Sequence, residues 1–316
     1  TKKKISDEEF IRKLCVNENN RNILDYCDLS IPENFTSNKE LNVSNISFRF
    51  VDIEDFRLLG NVTINEQLRF SDCKFTSNTL INPLIFRDIK GSFLDFSDCE
   101  FNGDLILQNV DLEKIIFTNC TFTGKVLLIE CNSDFLINSD GSTFIQDFEI
   151  IDCNNSMIYL SIIKVDTFTL KGVAPKFLNI VGGHYRLINF TSATYDNSNI
   201  VLESARSQKV LKVDILITYF LSSNLSLLLN KVNIQEAWKG NDIKIDEGSI
   251  NLSSVLFAKD SQVDLERVDF KNFYFTNVDF SQCSNFNLLK SNLVNLSYSN
   301  VKWGIDNVLP IKKPDD

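Results

Sequence analysis

Two cysteines each follow a polar side chain in nearly the same eight-residue segment, which occurs twice. Residues 94–101 read LDFSDCEF and residues 115–122 read IIFTNCTF, so Asp98–Cys99 and Asn119–Cys120 lie 21 residues apart. A carboxylate next to a thiol is a donor pair that a transition metal could use. A repeated structural unit would give the same duplication without any chemistry, and the spacing of the surrounding apolar residues distinguishes the two explanations.

The single histidine is the next candidate for chemistry. His184 stands in the sequence Val-Gly-Gly-His-Tyr-Arg, beside Tyr185 and Arg186. A catalytic histidine needs a nucleophile or an orienting acid nearby, and no flanking pattern supplies one. The sequence therefore favours a Gly-Gly corner that places His184, Tyr185 and Arg186 at a turn.

A group of acids forms the third candidate. Asp242, Asp246 and Glu247 could supply the two carboxylates of a polysaccharide lyase or a glycosidase. Solvated acids on an acidic surface explain them equally well. The sequence contains no glycine-rich phosphate loop, no calcium loop and no C-x-x-C pair among its eight cysteines. We therefore predict no catalytic, metal-ligating or cofactor-binding residues and no cofactor.

The apolar residues around the duplication recur in pairs at positions i and i+2, which is the pattern of a strand with one buried face. The pairs are Leu94/Phe96, Cys99/Phe101, Leu105/Leu107, Val110/Leu112, Ile115/Phe117, Cys120/Phe122 and Val126/Leu128. Steps of five or six residues separate the pairs, so very short strands must alternate with corners. Four such steps make one coil, and stacked coils bury each inward residue against its equivalents about 4.8 Å above and below.

This architecture separates the thiols from the acids. Strand alternation points Cys99 and Cys120 inward and Asp98 and Asn119 outward, which excludes joint metal coordination. Parallel Cβ atoms in neighbouring coils stay farther apart than the ~3.8 Å that a disulfide prefers. We interpret the cysteines as small apolar residues in a tight stack.

The C-terminal third shows the repeat most plainly. Every fifth residue is apolar at ten consecutive positions, namely Ala258, Val263, Val268, Phe273, Val278, Cys283, Leu288, Leu293, Tyr298 and Trp303. Between about 135 and 250 the period loosens to steps of ten to twelve residues. That spacing shows two faces per coil clearly and indicates a coil of similar circumference with less regular sides.

Segments 94–131 and 258–303 resemble the pentapeptide-repeat family. Val268-Asp269-Phe270-Lys271-Asn272 and Val278-Asp279-Phe280-Ser281-Gln282 match its five-residue motif. The resemblance implies a right-handed quadrilateral β-helix with four pentapeptides to a coil, and it covers about a third of the chain. Residues 135–250 depart from it. The predicted fold class is all-β, a right-handed parallel β-helix with coils of about 20–22 residues.

A solenoid needs caps, because its end coils expose apolar faces and unpaired strand edges. We predict a cap in residues 1–40, where Ser6 and three acids precede Phe10, Leu14 and Val16 in the pattern of an N-capped amphipathic helix. The predicted solenoid spans 41–304, with irregular coils at about 135–250.

The predicted solenoid closes at Trp303. Residues 305–316 are predicted to be a tail that links to a further domain. Two interruptions are expected inside the solenoid, namely a bulge at 76–83 and a loop or wide corner at 235–248.

The net charge of −10 and the pI near 4.8 disfavour direct nucleic-acid binding, which needs a basic face. No apolar run is long enough to cross a membrane, and we expect a cytoplasmic protein. The leading hypothesis is a non-enzymatic interaction or sensor scaffold with a protein partner, and with homo-oligomerisation left open. The family resemblance adds an acidic DNA mimic as the alternative, and a carbohydrate-active β-helix enzyme is a further one.

Overall fold

The computed structural model describes residues 1–15, 22–32, 34–78, 82–154, 156–195, 197–206, 210–288, 291–304 and 307–308. The chain divides into two compact units, Thr1–Tyr159 (the N-terminal unit) and Leu160–Asp316 (the C-terminal unit). Strands account for 70% of the described residues and helix for 3%. The predicted all-β class is therefore confirmed, and each unit is a β-solenoid of parallel strands.

The N-terminal unit contains one helix, α1 (Asp7–Leu14), in its described part. Its strands, in chain order, are β1 (Lys3–Lys4), β2 (Leu24–Cys27), β3 (Leu29–Ile31), β4 (Thr36–Ser37), β5 (Leu41–Val43), β6 (Ile46–Arg49), β7 (Asp52–Glu54), β8 (Arg57–Leu58), β9 (Val62–Ser71), β10 (Lys74–Thr76), β11 (Leu84–Ser97), β12 (Glu100–Asn102), β13 (Leu105–Thr118), β14 (Thr121–Phe122), β15 (Val126–Ile129), β16 (Asp134–Asn138) and β17 (Phe144–Ile151).

Each coil of this unit has four straight segments. In the coil that starts at Leu84 they are 84–87, 89–91, 93–97 and 100–102, and each pairs in parallel with the segment 21 residues later. Along one side, steps of 22, 22, 26, 21 and 20 residues connect paired positions, namely Leu24/Ile46, Ile46/Leu68, Leu68/Leu94, Leu94/Ile115 and Ile115/Phe135. The duplication at 94–122 is thus one coil followed by the next, as predicted.

Helix α1 covers the first coils of the N-terminal unit. Ser6 is its N-cap, and its Oγ accepts a hydrogen bond from the Glu9 N–H at 3.1 Å. Phe10 is fully buried, with its ring centroid 5.0 Å from Phe35 and 4.9 Å from Phe48. The predicted helical cap is confirmed, although Val16 lies outside the described residues.

Phenylalanine rings stack through the core of the N-terminal unit. Ring centroids lie 5.5 Å apart between Phe48 and Phe70, 5.4 Å between Phe70 and Phe96, and 4.7 Å between Phe96 and Phe117, with interplanar angles of 17°, 9° and 15°. Such stacks add about 0.5–1.5 kcal/mol per pair to the burial of the rings. These rows form core, as the inward pattern predicted.

The C-terminal unit contains the remaining strands, and β18 includes the division between the units. They are β18 (Met157–Ser161), β19 (Lys164–Val173), β20 (Phe177–Val181), β21 (Gly183–Tyr195), β22 (Ser198–Glu203), β23 (Leu211–Asn230), β24 (Val232–Ser253), β25 (Leu256–Phe257), β26 (Gln262–Asp279), β27 (Asn285–Asn287), β28 (Asn292–Lys302) and β29 (Asn307–Val308).

Four segments per coil persist in this unit, and the register between successive coils shifts at some of its corners. In the coil that starts at Leu211, segments 211–213, 215–218, 220–222 and 224–230 all pair in register with β24. The spacing of the apolar residues varies because the corners differ in length. Paired positions Val165/Tyr185, Tyr185/Val213 and Val213/Ile234 are 20, 28 and 21 residues apart.

The predicted loop at 235–248 is strand, because β24 runs unbroken from Val232 to Ser253. Extra residues stand at two corners of this strand, at 246–249, where the register with β26 shifts, and at 235–237. There Oδ1 of Asp214 in the coil below accepts the N–H groups of Gln235, Glu236 and Ala237 at 3.1, 2.7 and 3.0 Å. One carboxylate oxygen thus satisfies three backbone donors that the coil below would leave unpaired.

Trp303 lies on the last described coil of the C-terminal unit. Its ring stacks on Phe280 with centroids 5.4 Å apart and also contacts Phe286 at 5.8 Å. Strand β29 follows Trp303 and pairs in parallel with β27, so the parallel pairing does not end at Trp303 as predicted. Tyr298, predicted to point inward, is 36% exposed. In the described residues, no helix has the length and apolar character needed to span a bilayer.

Candidate functional site

The duplicated cysteines lie inside the stack. Cys99 and Cys120 are each 1% exposed, and strands β12 and β14, which begin one residue later, pair in register. Sγ of Cys99 lies 3.3 Å from the carbonyl oxygen of Phe70, and Sγ of Cys120 lies 3.6 Å from that of Phe96. The two cysteines therefore pack as small apolar residues, and their thiols also donate hydrogen bonds to backbone carbonyls.

All eight cysteines are free thiols. A hydrogen bond with Cys120 and burial raise the pKa of Cys99, and a hydrogen bond with Cys99 and burial raise the pKa of Cys73. Both effects disfavour the thiolate, which is the form that binds metals and attacks electrophiles. Within the described ranges, no group of three or more His, Cys, Asp or Glu side chains is placed to hold a metal ion.

Asp98 and Asn119 face outward for a reason other than strand alternation. Both are corner residues with positive φ, 51° and 48°, a conformation that Asp and Asn tolerate better than most residues. The same conformation occurs at Asp72, one coil earlier, where φ is 51°. The recurring acid or amide before each cysteine is therefore a turn residue, and the residue after it turns into the core.

His184 lies in a strand, which corrects its predicted place at a turn. The turn is formed by Gly182 and Gly183, with φ of 61° and 96°, and His184 pairs in register with Lys164 and Lys212. Tyr185 points inward and is 1% exposed, and its hydroxyl has no partner among the described residues. Burial raises the pKa of that hydroxyl.

Arg186 points outward on the same strand. Its Nε lies 2.7 Å from Oδ1 of Asp166. The three residues that the sequence grouped as a turn therefore separate into two outward side chains and one buried ring.

Two of the three acids predicted as a candidate site on β24, Asp242 and Asp246, are paired with cations. Oδ1 and Oδ2 of Asp242 accept hydrogen bonds from Nε and Nη2 of Arg267 at 2.7 and 3.1 Å, which lowers the pKa of Asp242. Asp246 lies 3.6 Å from Nζ of Lys244, and Glu247 is exposed. A glycosidase needs one carboxyl with a raised pKa as its general acid, and the shift at Asp242 has the opposite sign.

Two corners carry extra residues, and each builds a groove. In the N-terminal unit, seven residues separate β10 from β11, whereas two separate β12 from β13. This is the predicted bulge at 76–83, of which residues 79–81 lie outside the described part. The resulting groove has a volume of about 410 Å³ and is lined mainly by small polar residues, including Ser77, Asn82 and Thr123.

The second insertion lies in the C-terminal unit. Seven residues separate β22 from β23, whereas Lys231 alone separates β23 from β24. The resulting groove, here the basic–apolar groove, has a volume of about 540 Å³, and its lining includes Arg206, Val210, Lys231 and Leu256. Val210 is 40% exposed and Leu256 is 58% exposed. Sequence reasoning missed this groove, and the signal that could have found it is the 28-residue step from Tyr185 to Val213.

The two units differ in charge. The N-terminal unit contains 15 Lys and Arg against 26 Asp and Glu, a net charge of −11, and the C-terminal unit contains 17 against 16, a net charge of +1. The acidity of the whole chain is thus located in the N-terminal unit. A surface in the C-terminal unit can attract an acidic partner in spite of the negative total.

Comparison of the chain with protein-family models, with curated proteins and with solved structures gave no significant match. The fold and the grooves are therefore the basis for a functional proposal.

Proposed function

We propose that the chain is a non-enzymatic, pentapeptide-repeat-like scaffold that binds a protein partner through its outward surface. Two observations support the pentapeptide interpretation: the four segments per coil, and the row of buried residues at a spacing of five, Val263, Val268, Phe273 and Val278. A stacked solenoid fixes its core residues and leaves outward residues free to vary, which suits recognition. In this proposal the inward residues hold the fold and the corner insertions supply the binding surface.

The basic–apolar groove is the observation that carries the proposal. Insertions in repeat proteins commonly form loops on the binding face. Here Val210 of the insertion and Leu256 of β25 are two exposed aliphatic residues in a lining that also contains Arg206 and Lys231. Exposed apolar residues of this kind are typical of interaction sites when they cluster.

A pull-down with the tagged chain tests the proposal. We expect a partner protein to be retained by the wild-type chain and lost by Leu256→Asp. The matched control is Leu221→Asp, because Leu221 is 54% exposed on a different segment of the coil and has no place in the groove. A wild-type chain that retains nothing, or equal loss with both variants, would contradict the proposal.

A second candidate is an acidic DNA mimic located in the N-terminal unit. Its support is the net charge of −11 and the stacking of acidic corners such as Asp72 and Asp98 one coil apart. Such spacing approaches the charge density of a duplex. The mimic hypothesis predicts stoichiometric, salt-sensitive inhibition of a DNA-binding enzyme, and absence of inhibition at low salt would exclude it.

A further inference from the structure

Three basic side chains form a column that leads to the basic–apolar groove. Lys164, His184 and Lys212 occupy the same register position on successive coils, and all three are exposed. The same column continues to Asn233 and Leu256, which line the groove. Adjacent members of the column are one strand spacing apart, about 4.8 Å.

The lysines of this surface have no ion-pair partners in the part of the chain that the structure describes. Neither Lys164 nor Lys212 makes an ion pair there, and the same holds for Lys231 at the corner of the groove. Exposed cations that pair with nothing in their own chain are available to a partner, and they cost little to desolvate partially.

Three carboxylates of this region, those of Glu203, Asp214 and Asp279, make contacts of their own. Glu203 accepts a hydrogen bond from Asn179 at 3.4 Å, and Asp214 holds the three N–H groups of the corner at 235–237. Asp279 follows Leu256 in the column and accepts a hydrogen bond from the Ser281 N–H at 2.8 Å, with Nζ of Lys302 at 3.7 Å. In the described residues, none of these three carboxylates forms an ion pair with Lys164, Lys212 or Lys231.

We propose that the groove and its column bind an extended acidic peptide segment of the partner protein. One aliphatic side chain of the peptide lies between Val210 and Leu256, and flanking carboxylates pair with Lys231 and Lys212. The positive charge of the surface favours an acidic ligand. The two exposed aliphatic side chains favour a peptide that carries an aliphatic residue over a ligand that binds through charge alone. This assignment rests on the proposed function and adds the chemistry of the partner.

Fluorescence anisotropy with synthetic peptides tests the assignment. The probe is a labelled heptapeptide of glutamates with a central leucine, compared with the same peptide carrying serine at the centre and with a lysine peptide carrying leucine. We expect the leucine peptide to bind about tenfold more tightly than the serine peptide, because one aliphatic side chain is buried. Added salt should weaken binding, and the lysine peptide should not bind.

Variants locate the site. Lys212→Glu combined with Lys231→Glu should weaken binding of the leucine peptide at least about tenfold. The control Lys239→Glu changes a lysine that is also exposed but lies on the neighbouring segment of the coil, and it should leave the affinity unchanged. Leu256→Ser should remove the difference between the leucine and serine peptides.

Three outcomes would overturn the assignment: no binding of the leucine peptide, equal affinity for the leucine and serine peptides, or equal loss with Lys239→Glu. Binding of an oligothymidylate as tight as that of the leucine peptide would also overturn it, in favour of a general polyanion site. If the chain retains a partner in the pull-down but does not bind the peptide, only the peptide assignment is contradicted. If the chain binds the peptide but retains no partner in the pull-down, only the proposed scaffold function is contradicted.

Discussion

The two corner insertions show how one architecture produces different surfaces. Both place seven residues at a corner that one or two residues form in a neighbouring coil. The groove at the insertion of the N-terminal unit is lined mainly by serine, asparagine and threonine. The groove at the insertion of the C-terminal unit contains Val210, Leu256, Arg206 and Lys231 in its lining. The core therefore sets where a groove can form, and the inserted and outward residues decide what it binds.

The units also differ in how well their corners and cores suit the fold. Of the eleven described non-glycine residues with positive φ in each unit, eight are Asp or Asn in the N-terminal unit and five in the C-terminal unit, where Ile162, Tyr219 and Arg267 also adopt it. The buried thiols Cys99 and Cys120 have partners, whereas the Tyr185 hydroxyl and Trp238 Nε1 have none among the described residues. The C-terminal unit therefore places more residues other than Asp and Asn in the left-handed conformation, which is strained for most side chains.

We expect the largest effect from a substitution that interrupts the aromatic stack of the N-terminal unit. Phe96→Ala should cost about 3–5 kcal/mol, because it leaves a cavity and removes ring contacts in the coils before and after it. Urea denaturation measures the loss, and hydrogen exchange should rise most in the paired segments 68–70 and 115–117. Leu202→Ala, at a fully buried aliphatic position of the C-terminal unit, should cost less. A larger loss at Leu202 would contradict the contrast between the cores.

An exchange of corner residues should give effects of opposite sign in the two units. Asn119→Ile should destabilise the chain by about 1–2 kcal/mol, because a β-branched residue is strained at positive φ. Ile162→Asn, at a φ of 54°, should stabilise it by a few tenths to about 1 kcal/mol for the same reason. Urea midpoints measure both changes. Asn119→Gly is the control for the hydrogen bond that Oδ1 of Asn119 accepts from the Asp140 N–H at 3.1 Å, because glycine loses that bond without strain at positive φ. Destabilisation by Ile162→Asn would show that the corner conformation carries no strain there.

A smaller effect tests the unsatisfied hydroxyl of the C-terminal unit. Tyr185→Phe should stabilise the chain by about 1 kcal/mol, because it removes a buried polar group that lacks a hydrogen bond. Thermal denaturation measures the change. Tyr219→Phe, on a side chain that is 63% exposed, should change nothing. Loss of stability in Tyr185→Phe would mean that the hydroxyl has a partner after all.

The sequence predicts the fold well because the buried rows are periodic. The pairs at i and i+2 place Phe96, Cys99 and Phe101 inward, and the structure confirms each of them. The capping signal at Ser6 likewise predicts α1. Local patterns of this kind depend on a few neighbouring residues, which a single sequence displays directly.

The surface could not be predicted in the same way. Lys164, His184 and Lys212 are far apart in sequence, and only the register of the coils brings them into one column. In the sequence, the insertion at 204–210 only interrupts the spacing of the apolar residues, because corner residues show no apolar periodicity. The role of Asp98 was also hidden, because alternation and a turn conformation both place it outside.

One measurement tests the central claim, that the corner insertion of the C-terminal unit is the recognition site. Residues 204–210 are replaced by a single asparagine, the length of the Lys231 corner, and separately residues 77–83 are replaced by the Gly-Asp pair found at 103–104. Each variant keeps a corner length that the fold already uses, and circular dichroism confirms folding. Anisotropy with the glutamate–leucine peptide should show at least about tenfold weaker binding for the first variant and unchanged binding for the second. Unchanged binding by the first variant, or equal loss in both, would contradict the account.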